Sequence, residues 1–234
     1  MRQLPLALNW NTSSSCLERF VAGSNGMALT HLRQSVAASV LPQTPTYLWG
    51  DTGCGKTHLL QAVRTALNQR NLQVGWLDAS VACASMPPEF DPAWHAIVLD
   101  DVDRFDAAQQ HAAFNWFVHA MTPADGRLRW VLAAGRLPTA DLLLREDLRT
   151  RLGWGQVFAL QLLSDAEVKL ALQQAARHRG LFLGDDVIAY MQKRFARDTG
   201  SLMALLQMLD DYALQNHRAI TIPLIKQMLE EEHH

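Results

Sequence analysis

The sequence predicts an α/β P-loop core, built on a five-stranded parallel sheet flanked by helices and followed by a small all-helical unit. Three observations carry this. The stretch Gly50-Asp-Thr-Gly-Cys-Gly-Lys56-Thr57 fits the phosphate-loop pattern of Gly, four residues, then Gly-Lys-Thr. From Thr46 onward, short apolar runs alternate with helix-period segments, as expected for parallel strands joined by crossover helices. After Leu163 only the helical period remains.

Taken in order, residues 1–12 read as a mobile tail. Ser13-Ser14-Ser15 reads as a loop leading to a helix near 27–40. Strands are expected at 46–49, 73–77, 96–99, 130–133 and 156–160. Helices are expected near 56–70, 107–121 and 139–151, with Leu59, Leu60, Val63 and Leu67 on one face of the first. The Met86-Pro-Pro-Glu-Phe-Asp-Pro92 segment is a loop on proline grounds. The core is expected to span 13–162 and the helical unit 163–234. Ser164-Asp-Ala-Glu167 fits a capping box opening the first helix of that unit. Further helices are expected near 185–197, 201–217 and 223–230.

Composition narrows the class. The chain has 234 residues, 49% of them apolar and 19% charged, with net charge −2. This suits a soluble globular protein and gives no basic face for tight nucleic-acid binding. No apolar run approaches the ~18 residues of a membrane span. Three scattered cysteines, Cys16, Cys54 and Cys83, point to a reducing cytoplasm rather than to disulfides or a zinc site.

The chemistry centres on the glycine loop. Gly50, Gly53 and Gly55 let the backbone approach a phosphate, and the helix N-terminus adds positive partial charge. Cys54 and His58 lie within and just after the loop. Lys56 has the reach for β- and γ-phosphates, and Thr57 is a ligand for Mg²⁺. Ala96-Ile-Val-Leu-Asp100-Asp101 is an apolar strand ending in two acids, the Walker B pattern. Asp100 is the expected Mg²⁺ ligand, and Asp101 is placed to polarise an attacking water. ADP or ATP with Mg²⁺ is the expected cofactor, with base preference left open.

These motifs together resemble the AAA+ proteins, and more narrowly the DnaA branch with its short regulators of the Hda type. Phe20-Val21-Ala22-Gly23-Ser24-Asn25 resembles the segment that lines the family's base pocket, which implies Val21 and Asn25 there. Leu148-Arg149-Thr150-Arg151-Leu152-Gly153-Trp154-Gly155 resembles the Box VII region, with Thr-Arg-Leu where the family has Ser-Arg-Leu. The resemblance implies that Arg151 is an arginine finger acting in trans, and that Arg197 is the sensor-2 arginine of the lid. On the residues alone, Arg149 and Arg151 read rather as solvated cations offsetting a helix dipole.

The chain departs from an ATPase at the end of the 130–134 strand. Ala133-Ala134-Gly135-Arg136 stands where a polar sensor-1 residue is usual. Weak hydrolysis by the chain itself is therefore expected. Gln3-Leu4-Pro5-Leu6-Ala7-Leu8 reads from spacing alone as an apolar strap on the protein's own fold. The family resemblance instead implies docking of Gln3, Leu4, Leu6 and Leu8 on the replication sliding clamp. It further implies a cytoplasmic regulator that binds no DNA tightly, docks on the clamp and promotes hydrolysis of ATP held by DnaA, so inactivating the initiator. Two alternatives stay open, a self-sufficient ATPase such as a helicase loader and a nucleotide-locked adaptor. A homodimer through the apolar tail also stays open.

Overall fold

The computed structural model describes residues 17–80, 89–195, 199–216 and 218–231, with backbone only at Arg19. The chain divides into two compact units, Ser14–Gln161 and the part from Leu162 onward.

In the first unit the order is α1 (Gly26–Ala37), β1 (Thr46–Trp49), α2 (Lys56–Gln69), β2 (Val74–Asp78) and β3 (Ala96–Asp100). α3 (Ala107–Met121), β4 (Trp130–Gly135), α4 (Glu146–Leu152) and β5 (Gln156–Ala159) follow. The five strands form one sheet in the order β2-β3-β4-β1-β5, and every pairing is parallel. The sheet is covered on both faces, as a parallel sheet requires. Strand alternation divides the side chains. Leu48, Val98, Leu132 and Ala134 pack with Leu29, Leu32, Leu59 and Val63 of α1 and α2. Tyr47, Ile97, Leu99, Val131 and Ala133 pack with Trp116, Phe117, Leu148 and Leu152 of α3 and α4. The register brings the C-terminal ends of β3, β4 and β1 together. Leu99 pairs with Ala133 and Trp49 with Gly135, so Asp100 and Gly135 end β3 and β4 close to Gly50, the residue that follows β1.

Local signals explain the elements. α3 opens on a reciprocal capping box in which Asp106 accepts from the Gln109 amide at 2.8 Å and Gln109 accepts from the Asp106 amide at 2.9 Å. Between β3 and β4 the fully buried Arg129 is satisfied throughout. It makes two bonds to the Asp125 carboxylate, at 2.9 and 2.7 Å, and others to the carbonyls of Trp94, Pro92 and Arg127.

The helix expected over 139–151 is not continuous. Thr139–Asp141 is a single 3-10 turn, and α4 begins only at Glu146. Between them Leu142 and Leu144 are buried while Leu143 is 92% exposed, the period-two alternation of extended chain. A run of leucines satisfies both patterns, and packing against the α3 face of the sheet selects the extended one.

The second unit holds α5 (Asp165–His178), α6 (Asp185–Arg194), α7 (Thr199–Asn216) and α8 (Ile222–Glu231) around one apolar cluster that includes Leu172, Ile188, Leu205 and Ile225. Ser164 and Glu167 form the capping box of α5. α6 is shorter than the expected 185–197. Phe195 turns to extended backbone and is buried, ending the helix at Arg194. No helix among the described residues is long and apolar enough to cross a membrane.

Candidate functional site

The loop joining β1 to α2 is built by positive φ angles that favour glycine, 152° at Gly50, 88° at Gly53 and 96° at Gly55. A Cβ at Gly55 would lie 3.0 Å from the Phe20 ring. Phe20 also stacks on His58 at 5.8 Å, so it braces the loop from the N-terminal side. Burial lowers the pKa of half-buried His58. Lys56 is buried. Its ammonium donates to the carbonyls of Gly50 at 2.7 Å and Asp51 at 2.9 Å, with Cys54 Sγ at 3.7 Å. Burial pushes the Cys54 thiol up, against the opposing pull of Lys56.

Thr57 donates a side-chain hydrogen bond to Asp100, so the two residues expected to ligate Mg²⁺ are adjacent. Asp100 also accepts from the Asp101 amide at 3.0 Å. Burial pushes the Asp100 carboxyl up to about 6, the neighbouring charges of Asp101 and Asp78 add to this, and the Thr57 bond opposes it. A buried acid beside a hydroxyl, at the mouth of a phosphate loop, fits a divalent cation that shares its other ligands with phosphate and water. Among the described residues no cluster of three or more His, Cys, Asp or Glu could hold a metal by itself. Asp101 is left-handed, at φ 52°, and pairs with Arg104 at 3.6 Å.

The Gly135 position, at the end of β4, is closed off. The place a Cβ would take on Gly135 lies 2.6 Å from the Tyr47 hydroxyl and 3.2 Å from Asp103 Oδ1. That hydroxyl donates to the Leu137 carbonyl at 2.7 Å, and burial raises its pKa. Arg136 is engaged by Asp103, its amide donating at 2.9 Å and its guanidinium lying 3.7 Å away. Arg136 is thus paired within the fold.

Asn25 is buried, and its amide clamps the Gln161 backbone from both sides, donating at 2.9 Å and accepting at 2.7 Å. Val21 is half-buried nearby in sequence. The tail residues Gln3, Leu4, Leu6 and Leu8 lie outside the described residues, as does Arg197.

Arg151 lies in the last turn of α4, away in the chain from the phosphate loop. Its guanidinium sits over three rings, 5.0 Å from Trp154, 5.3 Å from Phe114 and 5.9 Å from Phe117. Arg145 also covers Phe114, at 4.7 Å, but it is neutralised by Asp147 through bonds of 2.8 and 2.7 Å. Among the described residues Arg151 forms no ion pair. Arg145, Glu146, Asp147, Thr150, Arg151 and Trp154 line one shallow concavity.

Residues 165–229 match the family described as "Hda, lid domain", and residues 12–86 match the bacterial DnaA ATPase domain. Over 230 residues the chain is 32% identical to an uncharacterised protein of Haemophilus influenzae, across 97% of this chain and 98% of that one. The chain belongs to the Hda-like, DnaA-related AAA+ proteins.

The fold agrees with this membership. Domain III of the Thermotoga maritima replication initiation protein DnaA superposes with a TM-score of 0.73 at 17% identity, over 96% of this chain and 98% of that one. AMPPCP-bound DnaA from Aquifex aeolicus superposes at 0.67 with 20% identity, over 84% of this chain and 65% of that one. Four residues around these groups escaped sequence reasoning as contributors. Asp78 ends β2 level with Asp100 and adds its charge there. Tyr47 fills the space beside Gly135 from a neighbouring strand. Phe114 and Phe117 carry Arg151, although their helical spacing alone marks them as core and rim. Their only sequence signal is the i, i+3 spacing on α3, which any amphipathic helix shows.

Proposed function

We propose that this chain is a nucleotide-bound regulator of replication initiation that presents Arg151 to ATP held by DnaA and promotes its hydrolysis. The observation that carries the reading is the environment of Arg151. A guanidinium held by aromatic faces, without a carboxylate, is oriented yet keeps its full charge for an external anion. An arginine supplied in trans to a transferring phosphoryl group contributes ~10³–10⁵ in rate.

The chain's own nucleotide serves as a ligand. Amides of the Gly50–Lys56 loop and the N-terminus of α2 would bind the phosphates, with Lys56, which donates to the Gly50 and Asp51 carbonyls, beside them. Thr57 and Asp100 would hold Mg²⁺, which would offset phosphate charge. Asp101 orients water only weakly, since Arg104 shares its charge. The closed Gly135 position and the engaged Arg136 leave the γ-phosphate without a polar contact from β4. This favours a trans-acting role over a self-sufficient ATPase. Gln3, Leu4, Leu6 and Leu8 are proposed to dock on the sliding clamp, which would concentrate the chain near DNA.

The test is hydrolysis of ATP pre-bound to DnaA, with clamp loaded on DNA. The parent chain is expected to stimulate hydrolysis and Arg151→Ala to lose at least about a hundredfold of that stimulation. Equal stimulation by the two would overturn the finger. Turnover of ATP by the chain alone, abolished by Asp101→Asn, would favour the ATPase instead.

A further inference from the structure

Trp154 leaves α4 just after the helix ends, its amide donating to the Arg151 carbonyl at 3.2 Å. Its position is over-determined. Gly155 presses on Pro45 so closely that a Cβ there would run into the Pro45 carbonyl. The same carbonyl accepts from the Gln156 amide at 2.9 Å, as β5 begins. The indole then meets the buried Phe117 ring edge-on, with centroids 6.2 Å apart and planes at 82°. That ring belongs to the packed face of α3. A ring 57% exposed to solvent is thereby fixed from below and from its backbone. Its face carries the Arg151 guanidinium at 5.0 Å, the shortest of that residue's three ring contacts.

Energetics favour this mode of support. A carboxylate would orient Arg151 but cancel the charge that a finger delivers. A π face orients the guanidinium by its quadrupole and leaves the N–H donors outward. The nearest acid by helical spacing, Asp147, is spent on Arg145 and on the Leu148 amide. We infer that Trp154 is a positioning residue: its indole, pinned by Phe117 and by the Gly155–Pro45 contact, fixes the direction in which Arg151 presents its guanidinium. This rests on the finger role proposed above for Arg151.

The experiment compares the full chain with Trp154→Leu, Trp154→Phe, Arg151→Ala and the Arg151→Ala/Trp154→Leu double variant. Two readouts are taken, after thermal melts show that each variant is folded. The first is stimulation of DnaA-bound ATP hydrolysis, as plateau rate and half-saturating concentration. Trp154→Leu is expected to lower the plateau about fivefold, with the half-saturating concentration held within about twofold. Trp154→Phe keeps at least about half the plateau, and the double variant is no worse than Arg151→Ala. The second readout needs no partner. It is the ring-current shift of the Arg151 δ-methylene protons by NMR, expected to fall in Trp154→Leu to what Phe114 and Phe117 supply and to be largely retained in Trp154→Phe. An unchanged plateau, a loss confined to half-saturation, or an unaltered Arg151 shift would each overturn the inference. If the parent gives no stimulation, or Arg151→Ala matches it, the finger reading fails. The Arg151 shift then decides by itself whether the indole holds the guanidinium.

Discussion

Two arginines rest on one phenylalanine, and their charges meet different fates. Arg145 lies over the Phe114 ring, as Arg151 does, yet Asp147 satisfies it with two bonds. The charge an arginine presents is thus a matter of partners rather than of residue type. Arg129 makes the point from the interior. Its burial is tolerated because Asp125 and three carbonyls satisfy every face of the guanidinium. In return, bonding to Arg129 holds the Asp125 carboxyl down at about 2, below its ordinary 3.8. A lowered acid stabilises the fold above its unfolded pKa, and that contribution is lost as pH falls through the folded value. Asp125→Asn should therefore lower the urea midpoint by a constant amount at neutral pH. The gap to the parent should close between about pH 4 and pH 2. A gap that persists at pH 2 would show that packing, not ionisation, supplies it. Lys56 and Thr57 were legible as candidates from the spacing of the glycine loop, and Asp100 from the apolar strand that it ends. Asn25 was legible only in part, since its amide proves committed to the Gln161 backbone, a partner 136 residues away.

At the scale of elements, the phosphate loop and its helix follow from local sequence. Glycines are needed at the three positive φ angles, and α2 starts where the loop ends. The segment before α4 shows the opposite case. Leucines at 142–144 carry no local preference strong enough to choose helix over extended chain, and burial of Leu142 and Leu144 decides it. The Trp154-Gly155 pair takes its meaning only from a neighbouring element. Gly155 is required because the Pro45 carbonyl before β1 occupies the space of a Cβ. Gly155→Ala should destabilise the chain by about 1–3 kcal/mol as β5 is pushed from β1. That is a fall of roughly 2–10 °C in the thermal midpoint. An unchanged midpoint would mean that the β1–β5 junction yields without cost. Stimulation of DnaA should fall as well, because Trp154 shifts with its neighbour.

Across the whole molecule, a single sheet order collects the site. β1 leads into the glycine loop, β3 ends in the acids, and β4 lies between them with the closed Gly135 position. The proposed regulator also needs its tail, and this makes a prediction at the same scale. Gln3→Ala with Leu4→Ala should weaken clamp binding at least about tenfold, measured by surface plasmon resonance, while nucleotide affinity stays unchanged. Retained clamp binding would remove the tail from the reading. The sequence by itself determined the P-loop core, the parallel alternation, the helical second unit and the identity of the phosphate-loop residues. Each of these rests on contacts within about a turn or a strand of the residue concerned, where spacing is structure. The tertiary structure alone decided that Tyr47 closes the Gly135 position, that Arg136 belongs to Asp103, and that Arg151 rests on Phe114, Phe117 and Trp154. Those contacts join strands and helices far apart in the chain, so no local pattern encodes them and only packing brings them together.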